Sequence, residues 1–168
     1  ASNGETSEVE RTITVAKPGA DRSVKTFSKD LIDFNNAGRD FIGTYQLPQF
    51  IGSYDLIIGD LDIECPNTAE GCDDWDRLAY IQIKAPNGEW VEFVRYITPF
   101  GVGCSHFVDL TDYASLLQGE VEIRIFIDTW GTGGWNVSLR LNYESGTVDG
   151  LLAGFSYSFD NAALDLKV

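Results

Sequence analysis

Long stretches of this sequence alternate between apolar and polar residues. In residues 120–130, EVEIRIFIDTW, apolar side chains occupy every odd position from Val121 to Ile127. Residues 135–143 repeat the pattern, with apolar odd positions from Trp135 to Tyr143. A period of two is typical of a β-strand that buries one face. Further strands are predicted at 24–28, 41–47, 54–64, 77–84 and 90–97, with turn sequences at 86–88 (PNG) and 131–134 (GTGG).

Only one segment has a helical pattern. Residues 109–119, DLTDYASLLQG, predict a helical turn that begins at Asp109 or Thr111 and ends at Gly119. Many short strands with almost no helix indicate an all-β fold. We therefore predict an antiparallel β-sandwich of the jelly-roll type.

Both ends of the chain carry strand patterns beyond this core. VERTITV at 9–15 predicts an extra strand, and LLAGFSYSFD at 151–160 and the final LDLKV alternate in the same way. The predicted organisation is an N-terminal arm or extra strand at 1–16, a jelly-roll domain at 17–145 and extra C-terminal strands at 146–168. Because sheet edges accept strands from other chains, the terminal strands make pairing between copies of the chain one hypothesis.

The amino-acid composition argues against some classes of partner and indicates the cell compartment. The chain has 26 acidic and 12 basic residues and a net charge of -14, which repels phosphate backbones, so no nucleic acid partner is expected. No apolar run approaches the roughly 18 residues of a membrane span. The sequence lacks methionine even at position 1, as expected if a bacterial-type export signal was removed or the chain was trimmed. We predict a secreted or cell-surface protein.

The cysteines also indicate an exported protein. Cys65 and Cys72 flank the turn-rich loop PNTAEG, and a disulfide that closes this loop is predicted. Such bonds persist in oxidising compartments, which agrees with export. Cys104 is left over and is expected to be a buried free thiol, with intermolecular pairing as the alternative. Cys104 and His106 alone provide too few ligands to predict a metal site.

The segment CDDWDR, residues 72–77, places three carboxylates around one tryptophan. By the period of two, Asp76 lies on the less apolar face of the strand that follows, and Asp128 lies on the polar face of its own strand. With Trp75 and Trp130 beside them, these carboxylates suit a sugar, whose ring stacks on indole while its hydroxyls bond to carboxylates. The pattern leaves three interpretations open, namely a solvated acidic surface, a calcium site and part of a catalytic centre.

Residues 64–103 resemble the corresponding stretch of the peptide-N-glycosidase F family, bacterial amidases that release N-glycans from asparagine. The shared motifs are a C-P-N loop closed by a second cysteine, C-D-x-W-D-R, G-E-W and R-x-I-T-P, and weaker similarity runs from about residue 24 to about residue 143. The resemblance implies the N-terminal one of that family's two jelly rolls. It also implies that Asp76 is the principal catalytic aspartate, and that Trp75, Arg77 and Trp130 bind substrate beside the chitobiose.

The sequence departs from the family in ways that bear on activity. Asp128 stands where the family has a glutamate in T-E-T-W, which withdraws the carboxylate by about one methylene from a contact that must be met at hydrogen-bond distance. In the family, the active site lies between the two jelly rolls, and the second one supplies another essential glutamate. The sequence ends before such a domain. Because amide hydrolysis needs both groups within reach of one bond, we expect no amidase activity from this chain alone.

Three hypotheses follow. The chain is a secreted glycan-binding module, a structural subunit that assembles with copies of itself, or half of an amidase that cleaves the GlcNAc–asparagine bond together with a second domain. In the last case Asp76 and Asp128 would be catalytic. A glycan or glycoprotein is the partner in the first and third hypotheses. No cofactor is predicted, and calcium in the acidic loop is the one alternative.

Overall fold

The computed structural model of the protein describes residues 20–49 and 54–145. These residues form eight β-strands and one short 3-10 helix. The strands are β1 (Arg22–Asp33), β2 (Asp40–Leu47), β3 (Leu56–Glu64), β4 (Leu78–Lys84), β5 (Trp90–Ile97), β6 (Cys104–Asp109), β7 (Gly119–Ile127) and β8 (Gly134–Glu144), and the helix is Thr111–Tyr113. Within these ranges, no helical segment has the length and apolarity that crossing a bilayer requires.

The strands form two four-stranded antiparallel sheets. Sheet I has the order β1-β8-β3-β6 and sheet II has the order β2-β7-β4-β5. Successive strands therefore alternate between the two sheets, except β4 and β5, which pair with each other as a hairpin in sheet II, and this is the connectivity of a jelly roll. The predicted all-β fold, an antiparallel sandwich of the jelly-roll type, is confirmed.

The core lies between the sheets and follows the predicted period. The odd positions from Val121 to Ile127 on β7 and from Trp135 to Tyr143 on β8 are buried, and the even positions between them are exposed or only partly buried. On β4, Ala79, Ile81 and Ile83 are fully buried, whereas Leu78 faces solvent. Burial of large aliphatic side chains from both sheets is the main favourable contribution to folding such a sandwich.

Three elements differ from the sequence-based prediction. β6 was not predicted, because it is an edge strand whose residues are all exposed or only partly buried. β1 is longer than the predicted 24–28, because register shifts near Thr26 and Lys29 break the alternation of its side chains. The predicted helical turn at 109–119 contains only a three-residue 3-10 helix, and Gly119 begins β7.

The predicted terminal strands lie outside the described residues. This applies to the strand at 9–15 in the arm 1–16 and to the strands predicted within 146–168. Pairing between copies through these segments, and the boundaries of the jelly-roll domain at 17 and 145, stay predictions.

Candidate functional site

Four connecting segments meet at one end of the sandwich, which we call the site end. These are residues 34–39, 65–77, 98–103 and 128–133. Hydrogen bonds join them across the end: the Gly101 N–H donates to the Asp73 carbonyl at 3.1 Å, and the Asn35 side-chain amide donates to the Gly131 carbonyl at 2.9 Å. The loops that carry the predicted site residues therefore support one another.

A disulfide and two glycines fix the path of the acidic loop. The predicted bond between Cys65 and Cys72 is confirmed. Cys72 forms a bridge with Gly134, whose N–H donates to the Gly71 carbonyl at 3.1 Å. Gly133 has a φ of 84°, and a Cβ there would lie 2.5 Å from the Cys72 carbonyl oxygen. The GTGG turn thus allows the backbones of two loops to approach more closely than a side chain would permit.

Asp73 is the buried centre of the site end. Its side chain is almost fully buried and accepts hydrogen bonds from Arg77 Nε at 2.8 Å and from Arg77 Nη2 at 3.0 Å. It also accepts the Thr129 hydroxyl at 2.5 Å and the Trp75 backbone N–H at 3.0 Å. Burial by itself would raise the pKa of this carboxyl, but the bonds from Arg77, Thr129 and Trp75 outweigh it and hold the pKa below its ordinary value. Asp73 is therefore an ionised structural anchor.

Thr98 completes the support beneath the acidic loop. Its buried hydroxyl accepts the Arg77 backbone N–H at 2.9 Å and donates to the Trp75 carbonyl at 3.4 Å. Its own N–H donates to the Arg77 carbonyl at 2.9 Å. The backbone on both sides of Asp76 is thus held by residues that lie below the surface.

Above this support, Trp75 and Asp76 face solvent. The Trp75 side chain is 62% exposed, and Asp76 is also exposed. No ion pair to Asp76 forms within residues 20–49 and 54–145. An exposed indole beside a carboxylate without a salt-bridge partner is available to a ligand.

Asp128 and Trp130 lie beside this loop. The Asp128 N–H donates to the Leu78 carbonyl at 2.9 Å, so Asp128 extends the outer face of sheet II next to the start of β4. Thr129, between Asp128 and Trp130, is the residue whose hydroxyl bonds to Asp73. Trp130 is 55% exposed. The structure therefore brings the segment 128–130 and the segment 73–77 into direct contact at the same end of the sandwich.

The turn between β1 and β2 adds two residues to this surface. Arg39 Nη1 donates to Asp128 Oδ1 at 2.9 Å, and the guanidinium carbon lies 4.5 Å from the Trp130 ring centroid. The Phe34 ring lies 6.0 Å from the Trp130 ring. The turn is fixed by Asp33, whose Oδ1 accepts the N–H groups of Asn36 and Ala37, each at 2.7 Å.

The pattern of the sequence did not reveal these supporting residues. Asp73 was visible as part of CDDWDR, but apart from its spacing to Arg77, nothing in its neighbours distinguishes a buried carboxylate from an exposed one. Arg39 and Phe34 are distant in sequence, and only the closure of the sandwich places them beside Trp130. Thr98 and Thr129 have no chemical signature of their own. A loop aspartate four residues before an arginine is the one usable signal.

Arg77 and the acidic loop have contacts that bear on their predicted roles. The Arg77 guanidinium is mostly buried against Asp73, so it has a structural partner, and its contact with substrate stays a prediction. The carboxylates of the acidic loop do not converge, because Asp73 points inward while Asp74 and Asp76 are exposed. No group of three or more His, Cys, Asp or Glu side chains within the described ranges is arranged to hold a metal ion. Calcium binding at this loop stays a prediction.

Comparisons with known proteins agree on one family. The family described as "Peptide-N-glycosidase F, N terminal" matches residues 80–143. The curated protein "Peptide-N(4)-(N-acetyl-beta-D-glucosaminyl)asparagine amidase F" of Elizabethkingia miricola is 34% identical over 134 residues, which cover 76% of this chain and 37% of that protein.

Solved structures give the same picture. The structure of PNGase F, a glycosylasparaginase from Flavobacterium meningosepticum, matches with a TM-score of 0.70 and 33% identity over 77% of this chain and 43% of that one. The structure of PNGF-II matches with a TM-score of 0.62 and 16% identity over 76% of this chain and 35% of that one, which shows a shared fold alone. The chain thus spans less than half the length of each of these relatives.

Proposed function

This chain carries the N-terminal domain of the peptide-N-glycosidase F family, and from that premise we propose that its site end binds the sugar of N-glycoproteins next to asparagine. The observation that carries the proposal is the pair of exposed indoles, Trp75 and Trp130, held beside the carboxylates of Asp76 and Asp128. The sequence resemblance assigns Trp75 and Trp130 to substrate binding and Asp76 to catalysis, and Asp128 replaces a glutamate of the family.

The chemistry of this surface suits a carbohydrate. A pyranose ring presents C–H groups on one face, which stack on an indole, and hydroxyl groups at its edge, which donate to carboxylates. Trp75 supplies the stacking face next to Asp76, and Trp130 supplies a second one next to Asp128. The supporting contacts of Asp73 and Thr98 hold these groups in place before a ligand arrives, which lowers the entropy cost of binding.

An apolar surface adjoins the indoles. Leu78 and Ile97 are paired across β4 and β5 and are 45% and 61% exposed, and Phe100 in the neighbouring loop is also exposed. Exposed apolar surface of this kind marks contact with another molecule. We assign it to the protein part of the glycoprotein or to a second domain.

The disulfide supports an extracellular location for this function. A bond between Cys65 and Cys72 is stable where the environment is oxidising. N-glycoproteins are accessible to a bacterial protein outside the cell, so we propose secretion or display at the cell surface.

Titration with chitobiose, followed by tryptophan fluorescence, tests the binding proposal. We expect saturable quenching in the unmodified chain, and we expect Trp75→Ala to weaken binding by about tenfold, which corresponds to about 1.4 kcal/mol. Trp90→Phe is the matched control, because Trp90 lies at the other end of β4 and β5, beside Lys84. An unchanged signal at millimolar chitobiose would reject the proposal.

Asp76 favours a second candidate function, one half of an amidase. The carboxylate is exposed and matches the catalytic aspartate of the family motif, yet acid–base chemistry on an amide needs a second group at the same bond. We expect no glycan release from a denatured glycopeptide by this chain alone. Release is expected when a C-terminal domain from a related amidase is added, and Asp76→Asn should abolish it. Release by the chain alone would contradict this division of the site.

A further inference from the structure

Arg39 touches both acidic and aromatic parts of the proposed sugar surface. Its Nη1 donates to Asp128 Oδ1 at 2.9 Å, while its guanidinium carbon lies 4.5 Å from the centroid of the Trp130 ring. The same guanidinium carbon lies 5.9 Å from the centroid of the Phe34 ring and 5.6 Å from the centroid of the Phe126 ring. Arg39 therefore contacts both Trp130, which is proposed to stack on the sugar, and Asp128, which is proposed to accept a sugar hydroxyl.

We infer that Arg39 is a positioning residue for glycan recognition, which orients Trp130 and Asp128 together and makes their contributions to binding depend on each other. The inference rests on the proposed function. It concerns a residue from the β1–β2 turn, which lies outside the matched motif W-D-R.

The backbone around Arg39 fixes where its side chain starts. The Arg39 carbonyl accepts the Ile127 N–H at 2.9 Å, so the residue is attached to the end of β7, one residue before Asp128. On the other side, the Asp33 turn holds the chain that leads to Arg39. The Arg39 side chain is 32% exposed, so its ion pair is less screened by solvent than one between fully exposed groups.

Arginine suits this position better than lysine. A planar guanidinium stacks on an indole and at the same time donates in its own plane to a carboxylate. A lysine ammonium would satisfy the charge of Asp128 but would not present a plane to Trp130. Because Oδ1 of Asp128 accepts the bond from Arg39, Oδ2, which accepts no hydrogen bond within the described residues, is left for a sugar hydroxyl.

Arg124 provides a matched control on the same face of sheet II. Like Arg39, it forms an ion pair with an aspartate, since its Nη2 lies 3.1 Å from Asp40 Oδ2. Like Arg39, it also lies over the Phe126 ring, at 5.9 Å. Its contacts do not include Trp130 or Asp128. Any loss of stability that comes only from removing a partly buried arginine is therefore expected both when Arg39 is replaced and when Arg124 is replaced.

The test compares Arg39→Gln, Arg39→Lys and Arg124→Gln by two measurements. Acrylamide quenching of Trp130, taken as the difference from the same chain with Trp130→Phe, reports the environment of the indole without any sugar. Chitobiose titration reports binding. We expect Arg39→Gln to increase the quenching of Trp130 and to weaken binding about tenfold, and Arg39→Lys to restore only part of the affinity. Arg124→Gln should change both by less than about twofold.

The coupling between Arg39 and Trp130 is tested by a double-mutant cycle. In the Trp130→Phe background, Arg39→Gln should weaken binding much less than in the unmodified chain, whereas Arg124→Gln should have the same small effect in both backgrounds. Thermal unfolding of every variant checks that the domain is folded. Equal losses for Arg39→Gln in the two backgrounds, or no loss at all, would overturn the inference.

The measurements distinguish a failure of the proposed sugar binding from a failure of the positioning role of Arg39. If the unmodified chain does not bind chitobiose, the proposed function is rejected, and the role of Arg39 in sugar binding is rejected with it. The orientation of Trp130 is still decided by quenching, because that measurement needs no ligand. Unchanged quenching in Arg39→Gln would reject the positioning role by itself.

Discussion

The interior and the surface of the site end use the same residue types for opposite purposes. Asp73 is 1% exposed, and its carboxylate accepts four hydrogen bonds, two of them from Arg77. Asp76, three residues later, is exposed and forms no ion pair within the described residues. The arginines differ in the same way, since Arg77 is mostly buried against its partner whereas Arg39 lies at the surface beside Trp130.

This contrast shows that position decides what a carboxylate does. A buried carboxylate must be fully hydrogen-bonded to stay charged, and its partners then hold the backbone around it. An exposed carboxylate contributes little to stability and is free to meet a ligand. Mutations in the two regions should therefore separate into those that unfold the domain and those that affect binding alone.

The largest effect is expected from Asp73→Ala. The substitution leaves a mostly buried Arg77 guanidinium and the Thr129 hydroxyl without their partner, and breaking such a pair costs about 3 to 5 kcal/mol of unfolding free energy. Urea unfolding, followed by fluorescence of the buried Trp135, measures the loss. Asp76→Ala is the control and should change stability by less than about 0.5 kcal/mol. Similar losses in the two variants would remove the distinction between interior and surface.

A smaller effect is expected when the disulfide is removed. Replacing both Cys65 and Cys72 by serine releases a short closed loop, which the chain-entropy estimate values at about 2.5 kcal/mol. Because Cys72 also contacts Gly134, we expect the loss to spread to the turn at 131–134 and to increase hydrogen exchange there. Exchange confined to the loop between the two cysteines would show that the bridge to Gly134 holds independently.

The smallest effect is expected from pH, because it removes only the charge-dependent part of the Asp73 interaction. The pKa of Asp73 is lower in the folded protein than its ordinary value, so ionised Asp73 stabilises the fold above the unfolded-state pKa of about 4. This contribution is lost as pH falls through the folded pKa. The difference in unfolding free energy between the unmodified chain and Asp73→Asn should therefore be constant above about pH 5 and narrow below about pH 4. A constant difference down to pH 2 would contradict this.

The sequence was sufficient for the parts of the fold that depend on regular alternation. β7 and β8 have one fully apolar face, so their period and buried side chains follow from the sequence alone. β6 lacks such a face because it is an edge strand, and the register shifts of β1 hide its true length. The edge position of β6 and the register shifts of β1 therefore explain why the sequence did not predict β6 or the full length of β1.

For the site, the exposed residues were easier to predict than the supporting ones. Trp75 and Asp76 belong to a short motif that the family resemblance singles out, and the strand period predicts the outer face for Asp128, but its position next to the start of β4 depends on the pairing of β4 with β7. The buried role of Asp73 depends in part on its bond from Thr129, and the roles of Thr98 and Arg39 likewise depend on contacts between segments that are distant in sequence. Such contacts leave no pattern in one sequence.

The disulfide also makes the geometry of the site end independent of the length of the loop between Cys65 and Cys72. Cys65 and Cys72 join the two ends of the segment that contains the exposed residues 67–70, while the hydrogen bonds that hold the loop against the 131–134 turn begin at Gly71, whose carbonyl accepts the Gly134 N–H. Residues added between the cysteines would extend into solvent without moving Asp73. Residues 67–70 therefore offer a place to insert an epitope tag or a fluorescent label close to Trp75 and Asp76 while keeping the shape of the site end.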